Sequence, residues 1–327
     1  MTIIPKVKLI NEYKEGDQVK DIFVVKIKKG VAQTQNLKHY FSLILTDSSG
    51  KSIDYRYWGG FSEAKVREMY DLIKDDSVVA IEGKISSYGG KLQMTSDEVQ
   101  VVTVLQEDQY DKNSFIKASK KDVEQLYIEL QQHINSIQNE KLKLLLESIF
   151  QELGKDFKKH PAAITIHHNW IGGLLEHTLE VVKYCKLSKQ IFSELDEDLL
   201  VTGAILHDIG KLEEMEMTTR IKGTNEGMFS GHIVLGSILI SNKMKELDFD
   251  NELKNKVMHL ILSHHGKLEY GSPKDPMFPE AIALYYADEM STKLAEMIGF
   301  VNDNKEETED DFMPKWNKNR PTNIYLR

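Results

Sequence analysis

The order His177, His207-Asp208, His232, His264-His265, Asp288 constrains this chain more than any other feature of its sequence. The pair His207-Asp208 stands in the run Gly203-Ala-Ile-Leu-His207-Asp208-Ile-Gly-Lys211, and adjacent imidazole and carboxylate at a helix end make a ready metal site. Gaps of 30, 24, 32 and 23 residues separate positions 177 and 207, 208 and 232, 232 and 264, and 265 and 288. Each gap holds a helix and its connection, so the helix ends can reach one centre. Nine of the eleven histidines fall between His160 and His265, spread over separate helical segments rather than gathered in a tag. Singly, each is more often a surface or satisfied core residue. Together they require a fold in which distant helices converge.

The residue types set the chemistry. Neutral imidazole suits divalent transition metals such as Mn, Fe, Co, Ni and Zn, while a carboxylate adds negative charge and can bridge two ions. A shared carboxylate with nitrogens and a terminal carboxylate around it places two metals roughly 3.5–4 Å apart. Such a pair binds a phosphate oxygen, lowers the pKa of a bound water to about 7 and stabilises the leaving oxygen. Hydrolysis of a phosphoester is the expected reaction.

At 327 residues and 37.6 kDa, the chain exceeds the usual single-domain size of roughly 100–150 residues, so two domains are expected. It has no apolar run of 18 residues, and its start, Met1-Thr-Ile-Ile-Pro-Lys, lacks the pattern of a signal peptide. A cytoplasmic protein without membrane contact is the expectation. The single cysteine, Cys185, rules out an internal disulfide framework, fits a reducing compartment and reads as a buried small hydrophobe. The net charge of −9 argues against a coat of nucleic acid, but residues 1–105 carry 15 Lys/Arg and 14 Asp/Glu, hence +1, leaving −10 on the remainder. Nucleic-acid binding should therefore be local.

Residues 19–102 read mainly as strands: 19–27, 39–46, 52–58, 77–87 and 91–102, with Asp47-Ser-Ser-Gly50 and Gly89-Gly90 as turns. Residues 62–74 break the period of two, because Ala64, Val66, Met69, Tyr70 and Ile73 approximate one helix face. Three strands, a helix and two strands is the order of a five-stranded OB-fold β-barrel, a fold that commonly binds single-stranded nucleic acid. Residues 106–118 read as a polar linker. Beyond them the periodicity predicts helices over about 123–137, 142–153, 174–187, 198–207, 233–244, 252–263 and 279–298, the first capped by a Ser-x-x-acid pattern at Ser119 and Asp122. The expected architecture is an N-terminal OB-fold β-barrel (1–105), a linker (106–118), an all-α bundle carrying the metal ligands (119–302) and a charged tail (303–327). In that tail, 314–320 reads as solvated, with contact to nucleic acid or another subunit as the alternative.

The ligand order resembles the HD superfamily of metal-dependent phosphohydrolases, in its two-metal branch. More narrowly, His167-His168 followed by Gly172-Gly-Leu-Leu-Glu-His177-Thr, then His207-Asp-Ile-Gly-Lys211, Gly231-His232-Ile and His264-His-Gly266, all behind an OB-like domain, resembles the YhaM group of 3′-to-5′ exoribonucleases. The resemblance, not the spacing, implies the exonuclease mode, its polarity and a preference for Mn²⁺ or Co²⁺ over Mg²⁺. It implies two divalent ions bridged by Asp208, one held mainly by His177, His207 and Asp288, the other by His232 with His264 and His265. Which of His264 and His265 binds more directly stays open. Lys211 resembles a lysine that contacts the scissile phosphate, against the plainer reading of a solvated helix-end lysine. His168 is a candidate substrate or acid group at the rim, against a packing role.

Each ligand imidazole needs an acceptor for its second nitrogen, and Glu176 and Glu289 are candidates. On the OB domain, bases can stack on Tyr40, Tyr55, Tyr57, Trp58 or Tyr88, with Lys38, Arg56, Lys84 and Lys91 for phosphates. Alternation sets Tyr55 and Tyr57 on one face and Arg56 and Trp58 on the other, so they cannot all serve. The expected partner is single-stranded RNA, with single-stranded DNA as an alternative and a homo-oligomer left open. Two rival functions stand beside this one. A phosphodiesterase acting on a cyclic dinucleotide or another small nucleotide shares the metal ligands, but Gly266-Lys-Leu-Glu-Tyr-Gly-Ser-Pro273 lacks the Gly-Tyr-Pro triplet of the cyclic dinucleotide group. A non-catalytic binding module would have no need to retain every proposed ligand.

Overall fold

The computed structural model of the chain describes residues 3–97, 102–164, 168–304, 315–317 and 321–326. It comprises two compact units, residues 1–118 with 217–222 and residues 119–216 with 223–327.

The first unit is built from β1 (Gln18–Gln33), β2 (His39–Thr46), β3 (Ser52–Trp58), α1 (Glu63–Leu72), β4 (Val78–Tyr88), β5 (Lys91–Asp97) and β6 (Val102–Val104). β1 pairs with β2 along one part and with β4 along another, β3 joins β5 in parallel, and β5 joins β4, so five strands close a ring in the order of an OB-fold. The period of two makes the core: Phe41, Leu43 and Leu45 lie opposite Tyr57, Tyr55 and Ile53, and all six are buried. Each fully buried large apolar side chain contributes about 1.5–3 kcal/mol, which suffices to fix this register. β1 is longer than its apolar run because its polar second half still pairs with β2, past register shifts between Val25 and Ile27 and between Lys29 and Ala32.

Residues 106–118, expected as a linker, are instead tied to this unit. Tyr110 and Phe115, edge to face at 5.7 Å, bury with Leu105 against Ile22, Val24 and Val78. Two aromatics within a mostly polar stretch contribute to this small second core.

The second unit begins with α2 (Val123–Ser136), capped by the Asp122 carboxylate rather than Ser119, and α3 (Glu140–Phe157), which runs on past Gly154 to anchor Phe157 in the core. There follow α4 (Gly173–Ile191), α5 (Glu197–Leu206), α6 (Lys211–Glu214), α7 (Asn225–Glu246), α8 (Asn251–Ser263) and α9 (Pro279–Asn304). One continuous core, including Leu146, Leu179, Val182, Leu200, Leu260 and Leu284, joins these helices. The helical expectation holds, and two short ladders accompany the helices along this part of the chain: β7 (Met215–Met217) pairs with β8 (Ile221–Gly223), and β9 (Lys315–Asn317) with β10 (Thr322–Ile324). Strands of three residues are too short for any periodicity to announce them. Within the expected charged tail, Ile324 and Leu326 are buried; residues 305–314 and 318–320 lie outside the described residues.

Two glycines set the ligand-bearing ends. Gly231 has φ +71°, which breaks α7 immediately before His232 and redirects the chain there. At Gly210, an added Cβ would stand 2.0 Å from the His232 carbonyl oxygen and 2.5 Å from the Gly236 nitrogen, so only glycine lets α6 meet α7 backbone to backbone. Gly210→Ala should therefore force the two apart and lower stability by about 1–3 kcal/mol in chemical denaturation. An unchanged stability would contradict this packing.

Candidate metal centre

Each proposed ligand comes from an element end or a buried helix face. His177 lies in the second turn of α4, His207 caps α5 with Asp208 next, His232 follows the break in α7, His264 caps α8 with His265 next, and Asp288 lies on α9. His177, His207, Asp208 and His264 are buried.

The structure brings all seven together. His177 Nε2 lies 3.2 Å from His207 Nε2, 3.4 Å from Asp208 Oδ2 and 3.2 Å from Asp288 Oδ1. His207 Nε2 lies 3.3 Å from the same Asp208 oxygen. The other oxygen, Oδ1, faces His232 Nε2 at 3.5 Å and His264 Nε2 at 3.8 Å. The two sets, His177/His207/Asp208 and His232/His264/His265, each gather their ligand atoms within 4.8 Å. A single carboxylate thus turns one oxygen to each.

The second nitrogens explain how the rings are aimed. His207 Nδ1 donates to the Ala204 carbonyl at 2.8 Å and His264 Nδ1 to the Ile261 carbonyl at 2.7 Å, both three residues back, where a helix end leaves carbonyls unpaired. His265 Nδ1 donates to the Tyr270 carbonyl at 2.9 Å, and His232 Nδ1 to Glu214 Oε1 at 3.0 Å. Carbonyls and carboxylates only accept, so the proton sits on Nδ1 and Nε2 keeps a lone pair aimed at the centre. His177 Nδ1 meets Ser291 Oγ at 3.0 Å. Glu214 also accepts from the His232 backbone N–H that the break at Gly231 exposes.

These acceptors correct the sequence expectation. Glu176 is occupied by Ser119, Lys121 and Trp170, and Glu289 pairs with Lys293. Glu214 and Ser291 do the work, and sequence reasoning missed both. Ser291 had one signal, its place three residues after Asp288 on the same face of α9.

The donor set fits a divalent cation. His232 Nε2 and His264 Nε2 are buried without a hydrogen-bond partner, a condition that costs about 1–3 kcal/mol per group. His177 Nε2 and His207 Nε2 stand 3.2 Å apart, so either a proton or a cation must lie between them. Burial pulls His177 down, but Asp208 and Asp288 outweigh it and hold it up to about 9. Burial, His265 and His207 push His264 well below its ordinary value. Burial would raise Asp208, yet Lys211, His207 and His177 keep it well below the carboxylate range.

Lys211 Nζ lies 2.6 Å from Asp208 Oδ2, and its backbone carbonyl accepts from His160 Nε2 at 2.7 Å. It lines a cavity of about 350 Å³ with Asp208, His265, Tyr270, Asp288 and Lys293. His168 is not at this rim: it is buried behind His177 with Nε2 3.3 Å from Glu180 Oε2. His167 lies outside the described residues.

In the first unit Tyr55 and Tyr57 are core, which leaves Arg56 and Trp58 on the outer face. There the Arg56 guanidinium lies 5.0 Å from the Tyr40 ring and 5.1 Å from the Trp58 ring, and the two rings are 5.2 Å apart. Tyr88 and Lys91 pair at the β4–β5 turn, while Trp58 pairs with Asp97 at the far end of β5, so they stand apart from that cluster.

Residues 174–293 match the family model described as HD domain. The second unit carries an HD domain. With it comes the chemistry of a metal-dependent phosphohydrolase. Residues 24–102 match an OB-fold nucleic acid binding domain, and residues 115–194 match a helicase family, overlapping the HD match at its start. Among solved structures, the chain is similar to an OB domain from Thermoplasma acidophilum (13% identity, 31% of this chain and 87% of that one, TM-score 0.24). It is also similar to the second OB-fold domain of replication protein A from Methanococcus maripaludis (15%, 31% and 95%, 0.24) and to a replication protein A heterotrimer bound to ssDNA (15%, 37% and 29%, 0.26). Among the described residues, no helix is long and apolar enough to cross a membrane.

In protein stripped by a chelator, His177 carries a second proton below about pH 9 that a cation must displace. Cation affinity should therefore rise with pH up to that value, with proton release near neutrality measurable by calorimetry in buffers of different ionisation enthalpy. In the stripped protein the same raised value gives stability that is complete below the unfolded pKa of about 6.5 and lost as pH climbs through about 9. Affinity that stays flat across this range would contradict the assignment.

Proposed function

We propose that this chain is a 3′-to-5′ exoribonuclease that trims single-stranded RNA to nucleoside monophosphates, using two divalent cations, Mn²⁺ foremost and Co²⁺ next. The observation that supports this most is the division of Asp208, one oxygen toward His177 and His207 and the other toward His232 and His264. A bridging carboxylate needs that arrangement. On this reading His177, His207 and Asp288 hold one cation, and His232, His264 and His265 the other.

Bound there, the cations supply Lewis-acid charge to phosphate oxygens and activate the attacking water. The chain's own residues do the rest. Lys211, at the cavity wall beside Asp208, offers its ammonium to the scissile phosphate once Asp208 is engaged by cations. The outer-face trio Tyr40, Arg56 and Trp58 offers two ring faces and a guanidinium, which suit stacked bases and the phosphate backbone of a single strand. Tyr88 and Lys91, exposed at the β4–β5 turn, serve as a second contact for a longer strand. The OB-fold family match supports a nucleic-acid substrate over a small cyclic dinucleotide. Exonuclease mode and polarity rest on the resemblance of the HD motifs together with the preceding OB unit. Single-stranded DNA is an alternative substrate, because neither element by itself demands a 2′-hydroxyl.

With Mn²⁺ and 5′-labelled single-stranded RNA, a ladder of stepwise shorter products is expected, with mononucleotides released from the 3′ end. Cleavage of cyclic dinucleotides with no action on RNA would overturn the reading. Asp208→Ala should abolish turnover while the fold persists by circular dichroism. Lys211→Ala should lower kcat about 10- to 100-fold, the worth of one charge-assisted hydrogen bond of about 1.5–3 kcal/mol. Wild-type rates in either variant would refute these roles.

A further inference from the structure

Four of the five imidazoles are aimed by groups that can only accept: the carbonyls of Ala204, Ile261 and Tyr270, and the Glu214 carboxylate. His177 is the exception. Its Nδ1 meets the hydroxyl of Ser291, which donates or accepts and so cannot by itself decide which ring nitrogen carries the proton.

Glu180 decides it. Glu180 Oε2 lies 2.9 Å from Ser291 Oγ. A carboxylate has no proton to give, so the single Ser291 proton goes to Glu180, and the Ser291 oxygen is left to accept from His177 Nδ1–H. His177 Nε2, on the side of the ring that faces Asp208 and Asp288, is then the nitrogen whose lone pair a cation can take. Glu180 is itself held by His168 Nε2 at 3.3 Å and Lys121 Nζ at 3.4 Å. His177 and Ser291 are buried, so water does not compete for the bond between them, whereas Glu180, 29% exposed, forms the outer end of the relay. The helical period makes the alignment possible. Glu180 lies three residues after His177 on α4, and Ser291 three after Asp288 on α9, so each helix presents one ligand and one relay residue on the same face.

The side chains of His168, Glu176 and Glu180 also gather closely enough to suggest a separate cation site. Glu176 is already taken by Ser119, Lys121 and Trp170, and Glu180 by Ser291, which assigns this cluster to support rather than to a further ion.

We propose that Glu180 and Ser291 are positioning residues that set the His177 tautomer and thereby the affinity for the cation held by His177, His207 and Asp288. The proposal rests on the two-cation reading given above. Glu180→Gln tests the direction of the relay. Its amide can donate to Ser291 Oγ, which frees the hydroxyl to donate to His177 Nδ1 and moves the ring proton to Nε2. Ser291→Ala removes the relay, and Ser291→Thr keeps the hydroxyl.

The test is titration of Co²⁺ into chelator-stripped full-length protein, read by calorimetry and by the visible d–d absorption of the ion, with thermal melts reporting the fold. Wild type should show two binding events. Glu180→Gln and Ser291→Ala should each weaken one event about 10- to 100-fold and leave the other alone, whereas Ser291→Thr restores it. In nuclease assays at saturating RNA, kcat should fall with KM little changed, and added Co²⁺ should recover it. If Ser291→Ala does not fold, Glu180→Gln carries the test, since it is nearly isosteric. Wild type that binds no Co²⁺ would overturn the reading of the centre itself. Wild type that binds normally, with folded variants matching it in both events, would overturn the relay alone.

Discussion

Asp208 is the constraint on which the helical unit turns. A carboxylate only 2% exposed is costly to ionise, and its charge persists there only because cationic and imidazole partners surround it. Lys211 answers part of that charge at 2.6 Å. Four imidazole nitrogens lie within 4 Å, divided between its two oxygens. The helices are placed to make this possible. α5 and α8 end on the residues that turn inward, α7 breaks at Gly231 just before His232, and α6 approaches α7 where only glycine fits. The neighbourhood is a cluster of groups that could hold a cation, assembled by the ends of helices, and the hydrophobic core behind it keeps those ends in place.

Imidazole orientation follows one rule with several implementations. Wherever a proposed ligand histidine terminates a helix, as at His207 and His264, the carbonyl three residues back is free to hold Nδ1, and the sequence needs no partner residue. Elsewhere another group takes that place: the Tyr270 carbonyl five residues on for His265, and a side chain for His232 and His177. Glu214 does so for His232, and Ser291, backed by Glu180, does so for His177. This separates ligands whose geometry is local from ligands whose geometry depends on distant parts of the chain.

The same distinction explains what could be read from the amino-acid sequence. The alternation of Phe41, Leu43 and Leu45 and the apolar spacing along α2 to α5 and α7 to α9 are local signals, so the strands, these helices and the OB-then-HD order were legible. The convergence of the seven proposed ligands was legible because their types and spacing leave few other uses. Glu214 and Ser291 were not, since one contact spans 18 residues and the other 114. His168 read as a rim group because chain order could not reveal that Glu180 occupies its Nε2. Residues 106–118 read as a linker because polarity counts outweighed Tyr110 and Phe115, whose burial depends on the outer side of β1 and β4.

The most direct measurement is anomalous X-ray diffraction at the manganese edge from crystals of the full-length chain grown with Mn²⁺. Two peaks are predicted about 3.5–4 Å apart, one against His177, His207 and Asp288 and the other against His232 and the His264/His265 pair, with one Asp208 oxygen on each. A single peak, or peaks that leave Asp208 uncoordinated, would contradict the account.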